Sequence, residues 1–236
     1  MKPINPLIVA LDVPSLEQAK PLIEALAPWV GCFKVGLELI TRVGVPQAVD
    51  TVHQMGGKVF LDGKFDDIPN TIAGASKAAS ALGVSLFNIH ACCGPEAMTA
   101  ANQVKGDSQL LAVTVLTAIS DAQCQQIFGS PASQKVLEFA TQAADCGLDG
   151  VVCSPQELTL LSQNPKTQKL LKVTPGVRPD WAQKQDQKRT MTPKQAMENG
   201  ATHLVIGRPI TQPPREIGSC VEAAKRILEE IKEASL

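Results

Sequence analysis

The chain has 236 residues, with 22 Lys plus Arg against 23 Asp plus Glu, a formal net charge of −1 and 44% hydrophobic residues. A chain of that length buries a large core without disulfide or metal staples. The balanced charge, with six Phe, two Trp and no Tyr, excludes a general nucleic-acid binder, which needs a basic stripe and stacking rings. No run approaches the roughly 18 apolar residues of a membrane span. The short N-terminal apolar run breaks at Asp12, Pro14 and Ser15, unlike a signal peptide. The expectation is a soluble, cytoplasmic protein with neither membrane nor nucleic acid as partner. The seven Cys are odd in number and lack CxxC spacing, which argues against paired disulfides and zinc knuckles. Cys92-Cys93 reads as apolar packing.

In chain order, short β-branched runs alternate with Ala/Leu-rich helical stretches. Strand-like runs lie at 7–13, 32–36, 58–65, 85–90, 110–116, 150–154, 170–177 and 203–210. Between them, the pattern predicts helices from Ser15 onward, around 45–55, from Pro69 to about Leu82, from Pro95 to Asn102, at 121–127 and 133–145, after Ser154, from Thr192, and from about Pro214 to Ala234. Ser15–Gln18, Ser154–Glu157 and Thr192–Gln195 each have the spacing of a capping box. Between strands seven and eight lies one polar stretch, 178–189.

Eight apolar strands that need cover on both faces, each followed by a helix, predict a closed α/β structure, a single-domain (β/α)8 TIM barrel spanning 1–236. The alternative is an open doubly wound sheet. It lacks its G-x-G-x-x-G fingerprint after strand one, where Leu11-Asp12-Val13-Pro14-Ser15 stands.

Barrel enzymes gather their active groups at the C-terminal strand ends. Here those ends carry Asp12, Lys34, Asp62 and Lys64, Asn88 and His90, Thr114 and Thr117, and Gly207-Arg208. Residues two apart on a strand share a face, so Asp62 and Lys64 project together. Asp67 follows in the loop, and Lys34 on the neighbouring strand adds a second cation. A purely structural ion network is the competing reading, and it is a costly one, because each buried ion loses several kcal/mol of solvation before pairing. Gly207-Arg208-Pro209 reads as an anion site in which following amides face a phosphate. The 178–189 stretch, with Arg178, Gln187 and Arg189 as donors, reads either as a surface excursion or as a lid. His90 fits a core role and a functional role equally, whereas His53 and His203 read as structural. No grouping has metal-ligand spacing, and no G-x-S-x-G nucleophile motif is present.

The run Asp62-Gly63-Lys64-Phe65-Asp66-Asp67-Ile68-Pro69-Asn70-Thr71 resembles the D-x-K-x-x-D-I-P-N-T signature of the orotidine 5′-monophosphate (OMP) decarboxylase family. Support comes from Leu11-Asp12, Phe33-Lys34-Val35-Gly36, Val115-Leu116-Thr117, Pro175–Pro179, Asp186-Gln187 and Val205–Ile210. The sequence departs from the pattern at Gly63, often an apolar residue in the family, where looser packing is expected, and at Asp66, which adds a charge beside Asp67.

The resemblance implies conversion of OMP to uridine 5′-monophosphate (UMP) and CO₂ in pyrimidine biosynthesis, with no cofactor and no metal, by a homodimer. It implies that Lys64 protonates C6, that Asp62 lies near the departing carboxylate, and that Lys34 pairs with carboxylates and ribose. Asp67, Ile68 and Thr71 would come from the partner subunit, Asp67 also touching ribose. Asp12 would bind ribose hydroxyls, Thr117 and Gln187 would hold the nucleotide, and Arg178, Gly207 and Arg208 would belong to the phosphate region. Related sugar-phosphate lyases share D-x-K-x-x-D but use Mg²⁺. Their second strand resembles a Glu-bearing metal site, whereas this one carries Lys34.

Overall fold

The structure, a computed structural model, describes residues 5–182 and 191–234. Eight parallel strands close into a barrel in simple chain order: β1 (Leu7–Ala10), β2 (Cys32–Val35), β3 (Val59–Phe65), β4 (Leu86–His90), β5 (Gln109–Val113), β6 (Gly150–Val152), β7 (Leu171–Pro175) and β8 (His203–Ile206), with β8 pairing back to β1. The barrel is the architecture that the alternation predicts, and the open sheet is excluded.

Two cores follow from the strand alternation. Ile8, Cys32, Phe60, Leu86, Leu111 and Val173 point inward and fill the barrel, joined by Ala10 and Val205. Their neighbours Leu7, Val9, Phe33, Val35, Phe87, Ile89, Leu204 and Ile206 point outward and pack beneath the helices. This two-sided burial is why the strands read as unbroken apolar runs. Each fully buried Leu or Ile contributes roughly 1.5–3 kcal/mol of transfer free energy. On the outer ring, the last helix (Cys220–Glu233) buries Ala223, Ala224, Ile227 and Ile231, a spacing of three and four that makes one apolar stripe.

The caps explain where helices start. Thr192 and Gln195 form the reciprocal capping box that their spacing predicts. Ser15 accepts from the Gln18 amide, which opens the helix Leu16–Leu26. Ser154 accepts from the Gln156 amide, but the turn it starts is a 3₁₀ segment, Pro155–Glu157, that leads into the helix Leu158–Gln163. A further reciprocal box, Ser120 with Gln123, went unread in the sequence. The last helix begins not near Pro214 but at the Ser219 cap, whose Oγ accepts from the Glu222 amide.

Most strands are shorter than their apolar runs. β5 ends at Val113 and β8 at Ile206, after which Arg208–Thr211 turns into a four-residue helix. The extra apolar residues line the barrel mouth or its loops rather than extend the sheet. A helix at Leu37–Val43, directly after β2, also escaped the sequence pattern. No helix among the described residues is long and apolar enough to cross a membrane.

Candidate active site

At the C-terminal end of the barrel, the inward side chains change from apolar to charged within one layer. Lys34 and Asp62 sit one inward position above Cys32 and Phe60. The Lys34 ammonium lies 2.9 Å from Asp12 Oδ1 and 3.2 Å from Asp62 Oδ2. The Lys64 ammonium lies 2.6 Å from the other oxygen, Asp62 Oδ1. The result is a chain of alternating charge, Asp12–Lys34–Asp62–Lys64, drawn from three adjacent strands. Gly36 belongs to the same cluster, because a Cβ there would stand 2.7 Å from the Lys34 Nζ. Only a residue without a side chain leaves that ammonium its place.

Asp62 and Lys64 come together as strand alternation predicts, but on a backbone that alternation does not describe. The strand is not regular there. Leu61 pairs with Phe87 and Phe65 with Ile89, so three residues of β3 face the single residue Asn88. Within this bulge Lys64 has φ +51°, the one non-glycine residue with positive φ among those described. A left-handed lysine costs roughly 1–3 kcal/mol and persists only where its surroundings hold it. Asn88 provides part of that hold: its Oδ1 accepts from the Lys64 amide at 2.8 Å and its Nδ2 donates to Asp62 Oδ1 at 2.7 Å. The packing expected at Gly63 is also corrected. The Phe65 ring occupies the space a Cβ would take, 2.7 Å from it, so this site is filled rather than loose.

Burial and charge act against each other in this array. Burial alone would lower the Lys34 pKa, but attraction to Asp62 and Asp12 outweighs it and the net shift is upward. Burial alone would raise the Asp62 pKa, but Lys34 and Lys64, with hydrogen bonds from Lys64 and Asn88, pull it below the ordinary carboxylate value. Both groups are therefore held ionised across neutral pH.

A cavity of about 600 Å³ opens above the array. Asp12, Lys34, Asp62, Lys64, Thr117, Arg178, Gly207 and Arg208 all line it, together with apolar groups from β5 to β8 that include Val113, Val152 and Val205. The cations Arg178 and Arg208 follow β7 and β8, across β1 from the lysines of β2 and β3. Amide donation to an anion is narrower there than the sequence suggests. The Ile210 and Thr211 amides both bond to the Gly207 carbonyl, at 2.8 and 3.1 Å, and Pro209 has no amide hydrogen. The two guanidinium residues bring positive charge to that part of the lining. Pro175, Gly176, Thr211 and Gln212 also line the cavity. Their signal was weak, because residues at the ends of short elements carry no periodicity.

Other expected residues lie elsewhere. Asp67, Ile68 and Thr71 are exposed and outside the lining of this chain's own cavity; Ile68 is 67% exposed despite being apolar. Thr114 is buried and donates to the Val152 carbonyl at 2.8 Å, so it ties β5 to the end of β6. His90 is half-buried at the end of β4 and outside the cavity lining, its pKa lowered chiefly by burial. Asp66 turns toward Cys92, whose Sγ is 3.9 Å from Oδ2. Cys93 packs against the core as expected, but Cys92 is exposed. Gln187 and Arg189 lie outside the described residues. No group of three or more His, Cys, Asp or Glu among the described residues is placed to hold a metal ion.

Residues 5–226 match the family described as orotidine 5′-phosphate decarboxylase / HUMPS. The orotidine 5′-phosphate decarboxylase of Syntrophomonas wolfei subsp. wolfei is 44% identical, over 96% of this chain and 98% of that protein. The enzyme of the same name from a Nostoc species is 47% identical over 87% of this chain and 90% of its own. The crystal structure of orotidine 5′-phosphate decarboxylase from Lactobacillus acidophilus superposes with a TM-score of 0.82 at 35% identity, covering 96% of this chain and 99% of that one.

Proposed function

The chain belongs to the orotidine 5′-phosphate decarboxylase / HUMPS family, and from that premise we propose that it is the decarboxylase of OMP, forming UMP and CO₂ in pyrimidine biosynthesis. In this reading the whole chain is one catalytic barrel that works in the cytoplasm as a homodimer, without metal or cofactor.

The observation that carries the reading is the position of Lys34. It fills the place beside Asp62 with an ammonium paired to two carboxylates. A Mg²⁺-dependent lyase of the same family would need that place for anionic ligands, and a fixed cation there repels a metal. A barrel that merely bound a phosphate would have no use for a strained lysine held on a buried carboxylate.

The chemistry asks for such an array. Loss of CO₂ breaks the bond from C6 to the carboxylate and leaves the electron pair on C6, in the ring plane, where no π system accepts it. The Lys64 ammonium, set beside C6, stabilises that pair and then transfers its proton to C6, and water restores the ammonium. Asp62 lies near the departing carboxylate and fixes Lys64. Asp12 and Lys34 bind the ribose hydroxyls, and Thr117 and Gln187 hold the base and its link to the phosphate. Arg178, Gly207 and Arg208 take the phosphate. Asp67, Ile68 and Thr71 reach the partner's site, Asp67 next to its ribose, which accounts for their exposure on a single chain.

Magnitudes set the division of labour. An acceleration of about 10¹⁷-fold, at the upper end for enzymes, needs roughly 23 kcal/mol. One preorganised donor gives roughly 3–4 kcal/mol. The array alone falls short, so binding of the remote phosphate must help organise the site.

The test is the loss of ultraviolet absorbance of OMP, with CO₂ release measured in parallel, in the presence of EDTA. Full activity is expected. Activity lost to chelator and restored by Mg²⁺, or none with any OMP concentration, would overturn the reading.

A further inference from the structure

We infer that Asn88 is a positioning residue of this site: its carboxamide locks the Lys64 backbone and the Asp62 carboxylate into one arrangement, so that the ammonium points into the cavity. The inference rests on the function proposed above and extends it to a side chain that contacts no substrate.

The argument begins with the bulge. Where β3 leaves its register with β4, the Lys64 amide loses the ladder position that a regular strand would give it. Asn88 stands opposite, 1% exposed, and its Oδ1 replaces the missing acceptor at 2.8 Å. The other end of the same amide, Nδ2, donates at 2.7 Å to the Asp62 oxygen that also receives the Lys64 ammonium at 2.6 Å. One planar group thus holds both the backbone and the charge partner of a single lysine.

The residue type is specific. The position needs an acceptor toward an amide and a donor toward a carboxylate within one short side chain, which asparagine supplies. Aspartate would keep the acceptor but set a second anion against Asp62. Leucine matches the size and offers neither bond. Without Asn88, the Lys64 amide loses its acceptor, and the left-handed backbone loses a tie that keeps Lys64 from the ordinary β region. That movement swings the ammonium away from Asp62.

The experiment compares Asn88→Leu with the wild type in OMP turnover, UMP binding and crystal structure. Because a misplacement of about 1 Å in a reacting group can cost about 100-fold, kcat is expected to fall about 100-fold, while KM and UMP affinity change less than about threefold. In the crystal, Lys64 is expected to leave positive φ or its ammonium to lie beyond hydrogen-bond reach of Asp62. If Asn88→Leu does not fold, Asn88→Ala, which strains nothing, takes its place. Unchanged kcat, or a variant crystal in which Lys64 keeps both its φ and its contact with Asp62, overturns the inference. A wild type inert toward OMP would overturn the proposed reaction instead, and the variant crystal would then decide the role of Asn88 by itself.

Discussion

Each end of the barrel withdraws a lysine from water, and the two are satisfied in opposite ways. At the C-terminal end, Lys34 is paired with two carboxylates, and its pKa is raised despite burial. At the N-terminal end, Lys172, 3% exposed, donates among the described residues only to the backbone carbonyls of Gln168 and Leu170, at 3.0 and 3.2 Å, and burial lowers its pKa. Neutral acceptors suffice to keep Lys172 in place, and its ammonium closes off loop carbonyls. Lys34 instead belongs to an extended line of charge facing an open cavity. Burying charge is costly at either end; only at the mouth are several charges brought together where a ligand can meet them. On the proposed reading the array serves a reaction and the Lys172 contacts serve stability, and substitution at the two lysines separates these roles.

The largest contrast is expected from Lys34→Met. It leaves Asp62 with the Lys64 ammonium and the Asn88 amide, and Asp12 facing water. Steady-state kinetics should show kcat reduced about 100- to 1,000-fold, as for loss of one preorganised charged donor. Denaturant unfolding should show a loss of about 3 kcal/mol, the lower end for a broken buried pair, since Asp62 keeps one charged partner. The stabilising term also has a defined pH window. Asp62 has a depressed pKa when folded, so its contribution is complete above the unfolded carboxylate value, about 4, and is lost as pH falls through the folded value. Lys34 has a raised pKa, so its contribution is complete below the unfolded lysine value, about 10.4, and is lost as pH rises through the folded one. The stability difference between wild type and Lys34→Met should therefore be flat between about pH 5 and 9 and shrink in acid. A difference that changes across neutral pH would contradict the pairing.

A smaller effect is expected at the end of β8. Arg208→Ala should raise KM for OMP about tenfold, the worth of one charge-assisted phosphate contact, with a lesser fall in kcat. An unchanged KM would remove Arg208 from the phosphate site. The smallest effect on catalysis is expected from Lys172→Met. The uncapped carbonyls should lower stability by about 1–2 kcal/mol, read as a lower Tm, while kcat stays within about twofold of wild type. A large loss of kcat there would erase the contrast between the two ends.

The sequence made the barrel legible because parallel strands buried on both faces leave long apolar runs that helices interrupt. It misjudged the strand ends for the same reason: Val115 and Leu116 are apolar because they line the cavity, not because they continue β5. Leu37–Val43 and Arg208–Thr211 were hidden because each follows a strand after a single glycine, with no side-chain cap to mark its start. At the site, alternation alone brought Asp62 and Lys64 together, but the bulge that sets their geometry depends on Asn88, 24 residues beyond Lys64. No local pattern encodes such a contact. Asp67, Ile68 and Thr71 enter the proposed site only through family resemblance, since nothing within one chain gives three exposed residues a shared purpose.

The central claim is tested most directly at Lys64. Lys64→Ala should bind UMP within about threefold of the wild type, because the phosphate and ribose contacts remain. Its decarboxylation of OMP should fall by about 10⁴-fold or more, since on the proposed mechanism one substitution removes both the proton donor and the charge beside C6. Turnover within about tenfold of the wild type, with UMP still bound, would contradict the account.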